Sequence, residues 1–291
     1  MEMKKIAITT DTNSGMTPHE NEADGIFVLP MPFIVDGVQQ LESVDLSREE
    51  FYAKLKSDSS VSTSQPSVGE LTEFWTNILK EYDQIVHIPT SSLLSNSCAS
   101  AQALAKEFDG KVYVVDNHRI SISLKSSVFD AATLRSQGKS AEEIKTVLEE
   151  SYADYAIYFS LVSMQYLKKG GRISPAAAAI GSILKLRPVL CLKGEKLEKF
   201  SLPRTQIKAK DIMIQAIKKE LTTRLKKYAD NGEITLAVTH AENEEEAEKF
   251  VEELKKFFPT LPVEYCDPLS LSIACHTGPG TLAIAALRRI K

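Results

Sequence analysis

The chain lacks the features that would support an extracellular, redox or membrane-spanning protein. Its 291 residues include four cysteines, Cys98, Cys191, Cys266 and Cys275, with no CxxC pair. That excludes a disulfide scaffold and leaves no thiolate cluster spaced for zinc. No basic, apolar, small-residue leader precedes the strand-like run at Lys4, so the expected compartment is the cytoplasm, with reduced thiols. The longest apolar run, around Pro175 to Leu184, is Ala-rich and falls well short of the ~20 residues a spanning helix needs. Charge of one sign is also missing: 35 Lys and Arg stand against 39 Asp and Glu, a net charge of −4. Nothing global draws the chain to phosphate backbones or anionic membranes.

The usual catalytic signatures are absent as well. Neither GxxxxGK[ST] nor GxGxxG occurs, which removes the common phosphate cradles and with them any implied nucleotide cofactor. GxSxG and HExxH are missing too. Cys275-His276, with Cys266 nearby, reads as buried thiols and not as a metal site, so no metal is expected. The basic run Lys218, Lys219, Arg224, Lys226 and Lys227 lacks interleaved aromatics and reads as a solvated face, so no nucleic-acid partner is expected.

What is present is an ordinary globular composition, 43% apolar and 25% charged, at a length suggesting roughly two domains. Lys4 to Gly15 reads as a buried strand running into a polar loop. Gly25 to Leu29 and Phe33 to Val35 read as strands, with a hairpin turn at Asp36-Gly37. Ser47 with Glu50, Ser67 with Glu70 and Ser140 with Glu143 form capping boxes that open three helices. The second carries Leu71, Phe74, Trp75, Ile78 and Leu79 on one stripe, which places the single tryptophan in a core.

Strands Gln84 to Ile88 and Val112 to Val115 alternate with helices, which argues for a largely parallel, doubly wound-like sheet. Strand Ala156 to Val162 follows, and the texture then changes. After it come a KKGGR turn, an Ala-rich helix opened by Ser174-Pro175, and a strand pair around Lys193 to Lys196. Further on are a long helix from about Thr205 to Tyr228, a strand Ile234 to Thr239, a helix Glu244 to Phe258 and a final apolar stretch. The fold class expected is α/β, in two α/β domains, residues 1–163 and 164–291.

Three loops are rich in hydroxyls: Val61 to Ser67, Thr90 to Ser97, and His276 to Gly280. Placed at the carboxyl ends of parallel strands, the first two would sit on the usual binding edge of an open sheet and suit a small anion such as a carboxylate. Each also has a plain reading as a turn with a helix cap.

Five ordered blocks, Thr10-Asp-Thr-Asn-Ser14, Thr63-Ser-Gln-Pro-Ser67, Ser91-Ser-Leu-Leu-Ser95, Leu167-Lys-Lys-Gly-Gly-Arg-Ile173 and His276-Thr-Gly-Pro-Gly280, resemble the DegV family over nearly the whole chain. The resemblance implies a bacterial fatty-acid-binding protein, the lipid-carrying, non-catalytic partner of a separate fatty acid kinase. It implies a tail in an apolar tunnel, the carboxylate near the domain interface, and an acyl phosphate made by the kinase for lipid synthesis. Thr63 and Ser95 match the family's carboxylate-binding hydroxyls. Arg172, Arg204 and His276 match positions near the head group or the phosphotransfer step. The Gly-Pro-Gly turn beside His276 favours a role for its charge in neutralising the acid or its phosphate.

Where family members commonly show LSGT, this chain has Leu94-Ser-Asn-Ser97; Asn is the next most tolerant of positive φ, so the turn can survive. The small side chains of Pro175 to Leu184 suit a tunnel lining, and a transient membrane contact is compatible with such a carrier. The alternative is a lipid esterase or thioesterase with Ser95 as nucleophile and His276 as base.

Overall fold

The structure, a computed structural model, describes residues 4–57, 59–172, 186–193 and 196–290. The Ala-rich segment Pro175 to Leu184, read above as a tunnel lining, lies outside the described residues. Two compact units divide the chain: Met1–Tyr152 with Ser270–Ser272 and Ile290–Lys291, and Ala153–Leu269 with Ile273–Arg289.

The first unit holds strands β1 (Ile6–Asp11), β2 (Ile26–Leu29), β3 (Pro32–Val35), β4 (Val38–Leu41), β5 (Val61–Thr63), β6 (Gln84–Ile88) and β7 (Val112–Val114). Four of them make a sheet in the order β2-β1-β6-β7, with every neighbouring pair parallel, as the βα alternation predicts. Side chains of a strand alternate between faces, and the buried residues follow that rule. Ile6, Ile8, Val86 and Ile88 pack with Leu124, Val128, Ile144 and Leu148, while Ala7 and Ile85 pack with Leu71, Trp75, Cys98 and Leu104. Helices Ile122–Ser136 and Ala141–Glu150 therefore supply one apolar layer, and Val68–Ile78 and Ser97–Ala105 the other. All three expected capping boxes form, at Ser47, Ser67 and Ser140.

The remaining strands form a separate antiparallel sheet, β4-β3-β5. Asp36 and Gly37 link β3 to β4 at φ 51° and 84°, the positive values a two-residue hairpin turn requires. One expectation is corrected here: the loop 63–67 leaves β5, an edge strand of this antiparallel sheet, and not a strand of the parallel one. Only Val61 of β5 is fully buried, too little apolar surface for a strand covered on both faces.

The second unit is built on a six-stranded sheet ordered β10-β9-β8-β13-β11-β12, from β8 (Tyr155–Ser160), β9 (Val189–Lys193), β10 (Lys196–Ser201), β11 (Ile234–Ala241), β12 (Val263–Pro268) and β13 (Thr281–Arg288). Every neighbouring pair is antiparallel except β11 with β12. Met213, Ile217 and Leu225, together with Phe250 and Leu254, bury one face against Tyr158, Leu236, Val238 and Ile284. Strand β8, assigned above to the first domain, pairs with β9 and β13, so the chain passes into the second unit at Ala153. The expected long helix is interrupted: Gln206–Thr222 ends and Lys226–Asp230 begins a new turn. Thr222 and Thr223 bend their hydroxyls back onto the carbonyls of Lys218 and Lys219, a bond that competes with helix continuation. Among the described residues no helix is long and apolar enough to cross a membrane.

Candidate functional site

In the first unit the Ser-rich loop leaves the carboxyl end of β6, where a binding edge is expected. Its backbone is anchored at Thr90, whose N–H donates to Asp11 Oδ2 at 2.8 Å and whose hydroxyl donates to Asp11 Oδ1 at 2.8 Å. The Ser95 N–H donates to the Ser91 carbonyl at 3.0 Å, closing a turn. Ser95 Oγ then donates to Ser97 Oγ at 3.0 Å and accepts from the Ser97 N–H at 3.2 Å, at the start of helix Ser97–Ala105. Asn96 lies at φ −75°, ψ −4°, so the turn needs no left-handed residue and Asn replaces Gly there without strain.

Thr63, half-buried at the end of β5, pairs in register with Phe33. The following residues carry its loop to the helix that the Ser-rich loop opens: Gln65 Nε2 donates to Ser100 Oγ at 3.1 Å. A cavity of about 10 Å3 lies there, with Asp11, His87, Ser97 and Ser100 on its polar side and Leu29, Pro66 and Leu71 on its apolar side. That volume holds about one water molecule and no alkyl tail.

The electrostatics beneath these loops come from groups the motif reading did not assign. Burial raises the Asp11 carboxyl above the usual range, opposed by the Thr90 and Asn13 hydrogen bonds. Burial also raises Glu42, to about 7, against the backbone bond from Leu271, the Thr12 hydroxyl and the Arg48 charge. His87, fully buried and 2.8 Å from Thr9 Oγ1, is pushed down to about 3 and is an uncharged imidazole at neutral pH.

In the second unit the KKGGR and HTGPG segments meet. A methyl on Gly170 would lie 2.0 Å from His276 Nδ1, one on Gly278 2.2 Å from the Tyr166 ring, and one on Gly280 2.4 Å from Val162. Glycine is therefore required for this packing. Arg172 Nη1 donates to the Gly170 carbonyl at 2.6 Å and is exposed. Burial first, and the Arg172 charge second, push His276 down to about 4. Its cationic neighbour and its burial both favour the neutral ring. Arg204 sits on a different element, exposed on the turn before helix Gln206–Thr222. Among the described residues no group of three or more His, Cys, Asp or Glu could hold a metal ion.

A family model described as an uncharacterised protein, DegV family, matches residues 5–289. The chain belongs to the DegV family. A DegV domain-containing protein of Staphylococcus aureus (strain N315) is 30% identical over 294 aligned residues, covering 99% of this chain and 100% of that protein. Among solved structures, a DegV family protein from Thermus thermophilus, described by its fatty acid binding, has TM-score 0.86 at 28% identity and covers 98% of this chain and 99% of its own. DegV of Bacillus subtilis, described as a fatty acid binding protein, has TM-score 0.83 at 30% identity and covers 98% of this chain and 100% of its own.

The motif blocks of this DegV chain thus fall into two groups, one per unit. Asp11 and Asn13 belong to the Thr10 to Ser14 motif block, which by itself assigns them no role. His87 was hidden inside an apolar strand, and Glu42 follows a polar strand with nothing local to flag it. Only the fold shows that all four are buried: His87, Asp11 and Glu42 at 3% exposure or less and Asn13 at 5%.

Proposed function

We propose that this chain binds one long-chain fatty acid and presents it to a separate fatty acid kinase for acyl-phosphate formation, as a carrier with no turnover of its own. The observation that carries this reading is the match, over nearly the whole chain, to two solved DegV relatives described as fatty-acid-binding. The proposed head-group site is the pair Thr63 and Ser95, supported by the Gln65 to Ser100 bond, which ties the loop after Thr63 to the helix that follows Ser95. The ligand position at the domain interface, the tail tunnel, and the head-group or phosphotransfer roles of Arg172, Arg204 and His276 belong to the same proposal, as does a transient membrane contact.

A tail of about 16 carbons at ~0.8 kcal/mol per methylene contributes ~12 kcal/mol gross before ordering costs. The tail then supplies affinity, and the hydroxyls supply register. The esterase alternative gains no support from the geometry. Ser95 Oγ donates to Ser97 and not to a base, and a histidine held near 4 is a poor base at neutral pH.

The test is a titration with acids of increasing chain length into the native protein and into Thr63→Ala and Ser95→Ala. Affinity is expected to rise steeply with length, and each variant to lose roughly 1.5 to 3 kcal/mol, the cost of a hydrogen bond to a charged group. Unchanged affinity in both variants removes the site, and tight binding of short carboxylates removes the carrier reading.

A further inference from the structure

Two residues of the loop after β7, His118 and Ser121, are left-handed at φ 56° and 55°, and Ser121 has ψ −139°. The second combination is one that only glycine adopts without cost, and a side chain held there needs surroundings that over-determine it. The surroundings are visible. The Ser121 N–H donates to the Asn13 carbonyl at 2.8 Å, and the Ser121 carbonyl accepts from Leu124 and Lys125 at 2.8 and 3.0 Å, starting helix Ile122–Ser136. Arg119 is buried at 1% exposure and its guanidinium donates to the Ser151 carbonyl at 2.9 Å.

What this loop holds is the Ser-rich turn. The Ser91 N–H donates to the Arg119 carbonyl at 3.0 Å, and the Ser91 carbonyl is the acceptor for the Leu94 and Ser95 N–H groups. The Ser92 N–H points to Asp116 Oδ1 at 3.4 Å. Asn13 closes the circuit, its side-chain amide donating to Thr90 Oγ1 at 2.9 Å. The loop after β7 is therefore bonded through backbone atoms to the loops after β1 and β6, which are joined to each other by side chains, and the path from Ser121 leads to Ser95.

We propose that residues 118–121 are the positioning element of the carboxylate-binding site: the strained Ser121 and the buried Arg119 fix the Ser91 to Ser95 turn and so aim the Ser95 hydroxyl. The inference rests on the fatty-acid reading for its consequence in binding, but not for the mechanical link itself. The hydrogen bonds that hold Ser121 in this costly geometry also keep the turn in one conformation before the ligand arrives, which spares the ordering cost on binding.

Ser121→Gly is the informative variant, because glycine occupies the same backbone angles freely and the protein is expected to fold with undiminished thermal stability. In the ligand-free full chain, hydrogen exchange at the Ser91, Leu94 and Ser95 amides is expected to accelerate, with Val68–Ile78 unchanged. Oleate affinity is expected to fall by about threefold or more, from loss of preorganisation. In a Ser95→Ala background the same glycine is expected to have no further effect on affinity, since the two residues act in series. Ser121→Ala, which keeps the strain and loses only the hydroxyl, is expected to lose less than Ser121→Gly. Unchanged exchange in the turn, an equal loss in both backgrounds, or a larger loss for alanine than for glycine would each overturn the proposal. If the native protein takes up no oleate while the exchange result holds, the carrier reading fails and the positioning link stands.

Discussion

The two units place their polar groups by opposite devices. In the first, a parallel sheet gathers the ends of β1, β6 and β7 at one edge, and the buried Asp11, Glu42 and His87 each meet a threonine hydroxyl, from Thr90, Thr12 and Thr9. In the second, a mostly antiparallel sheet carries its apolar core on long strands, and close packing is reached by removing side chains, at Gly170 against the His276 ring, at Gly278 against Tyr166 and at Gly280 against Val162. The first arrangement makes a site from hydrogen bonds, whereas the second makes one from close backbone approach. Their failures should differ accordingly, in size, in location and in pH dependence.

The largest effect separates the two cores. Trp75, the single tryptophan, is fully buried in the first unit between His87 and Phe108. Trp75→Ala is expected to cost ~3 to 5 kcal/mol, seen by circular dichroism as an early melt of part of the structure. A single melt lowered as a whole would show that the division into two units has no energetic meaning, and an unshifted melt would contradict the expected cost.

Next in size is Gly170→Ala, whose methyl must displace the His276 ring. Overpacking of this kind costs ~1 to 3 kcal/mol. Because Trp75 reports only on the first unit, its fluorescence transition is expected to stay in place while the dichroism transition falls.

The pH dependence sharpens the contrast further. His87 and His276 are both held below the ordinary histidine value. Each contributes stability that is present above about pH 6.5 and is lost as the pH falls toward its folded value. Glu42 runs the other way: held up to about 7, it favours the fold when protonated, and that contribution is lost as the pH rises from about 4.5 through 7. Between those limits the two trends oppose each other in the first unit alone. Glu42→Gln is therefore expected to gain up to about 3 kcal/mol at neutral pH, leaving the raised Asp11 carboxyl as the acid that still opposes His87 in the first unit. Urea melts followed by Trp75 fluorescence at pH 5 and 7.5 check this; equal stabilisation at both values would contradict it.

The smallest effect is Ser140→Ala, which removes the capping box of Ala141–Glu150 and is expected to cost about 1 kcal/mol, confined to the tryptophan-reported transition.

Local chemistry made a good part of this fold legible. The three capping boxes, the Asp36-Gly37 turn and the core tryptophan all depend on neighbours within a few residues, and all stand where the sequence placed them. Strand partners do not depend on neighbours. The short β5 reads the same whether it joins a parallel or an antiparallel sheet, and β8 reads the same on either side of a boundary. The candidate site divides in the same way. Hydroxyl-rich loops are conspicuous in sequence, but the buried Glu42 meets Leu271 across more than two hundred residues, and the strain at Ser121 is a property of backbone angles that no side-chain pattern displays.

The central claim is that this chain carries a fatty acid. The most direct measurement is mass spectrometry of the organic extract of purified, natively folded protein, with the molar ratio of acid to chain determined. The account predicts about one long-chain acid per chain, retained through purification because the tail supplies most of the affinity. A folded protein that arrives empty and takes up neither oleate nor palmitate on titration would contradict it.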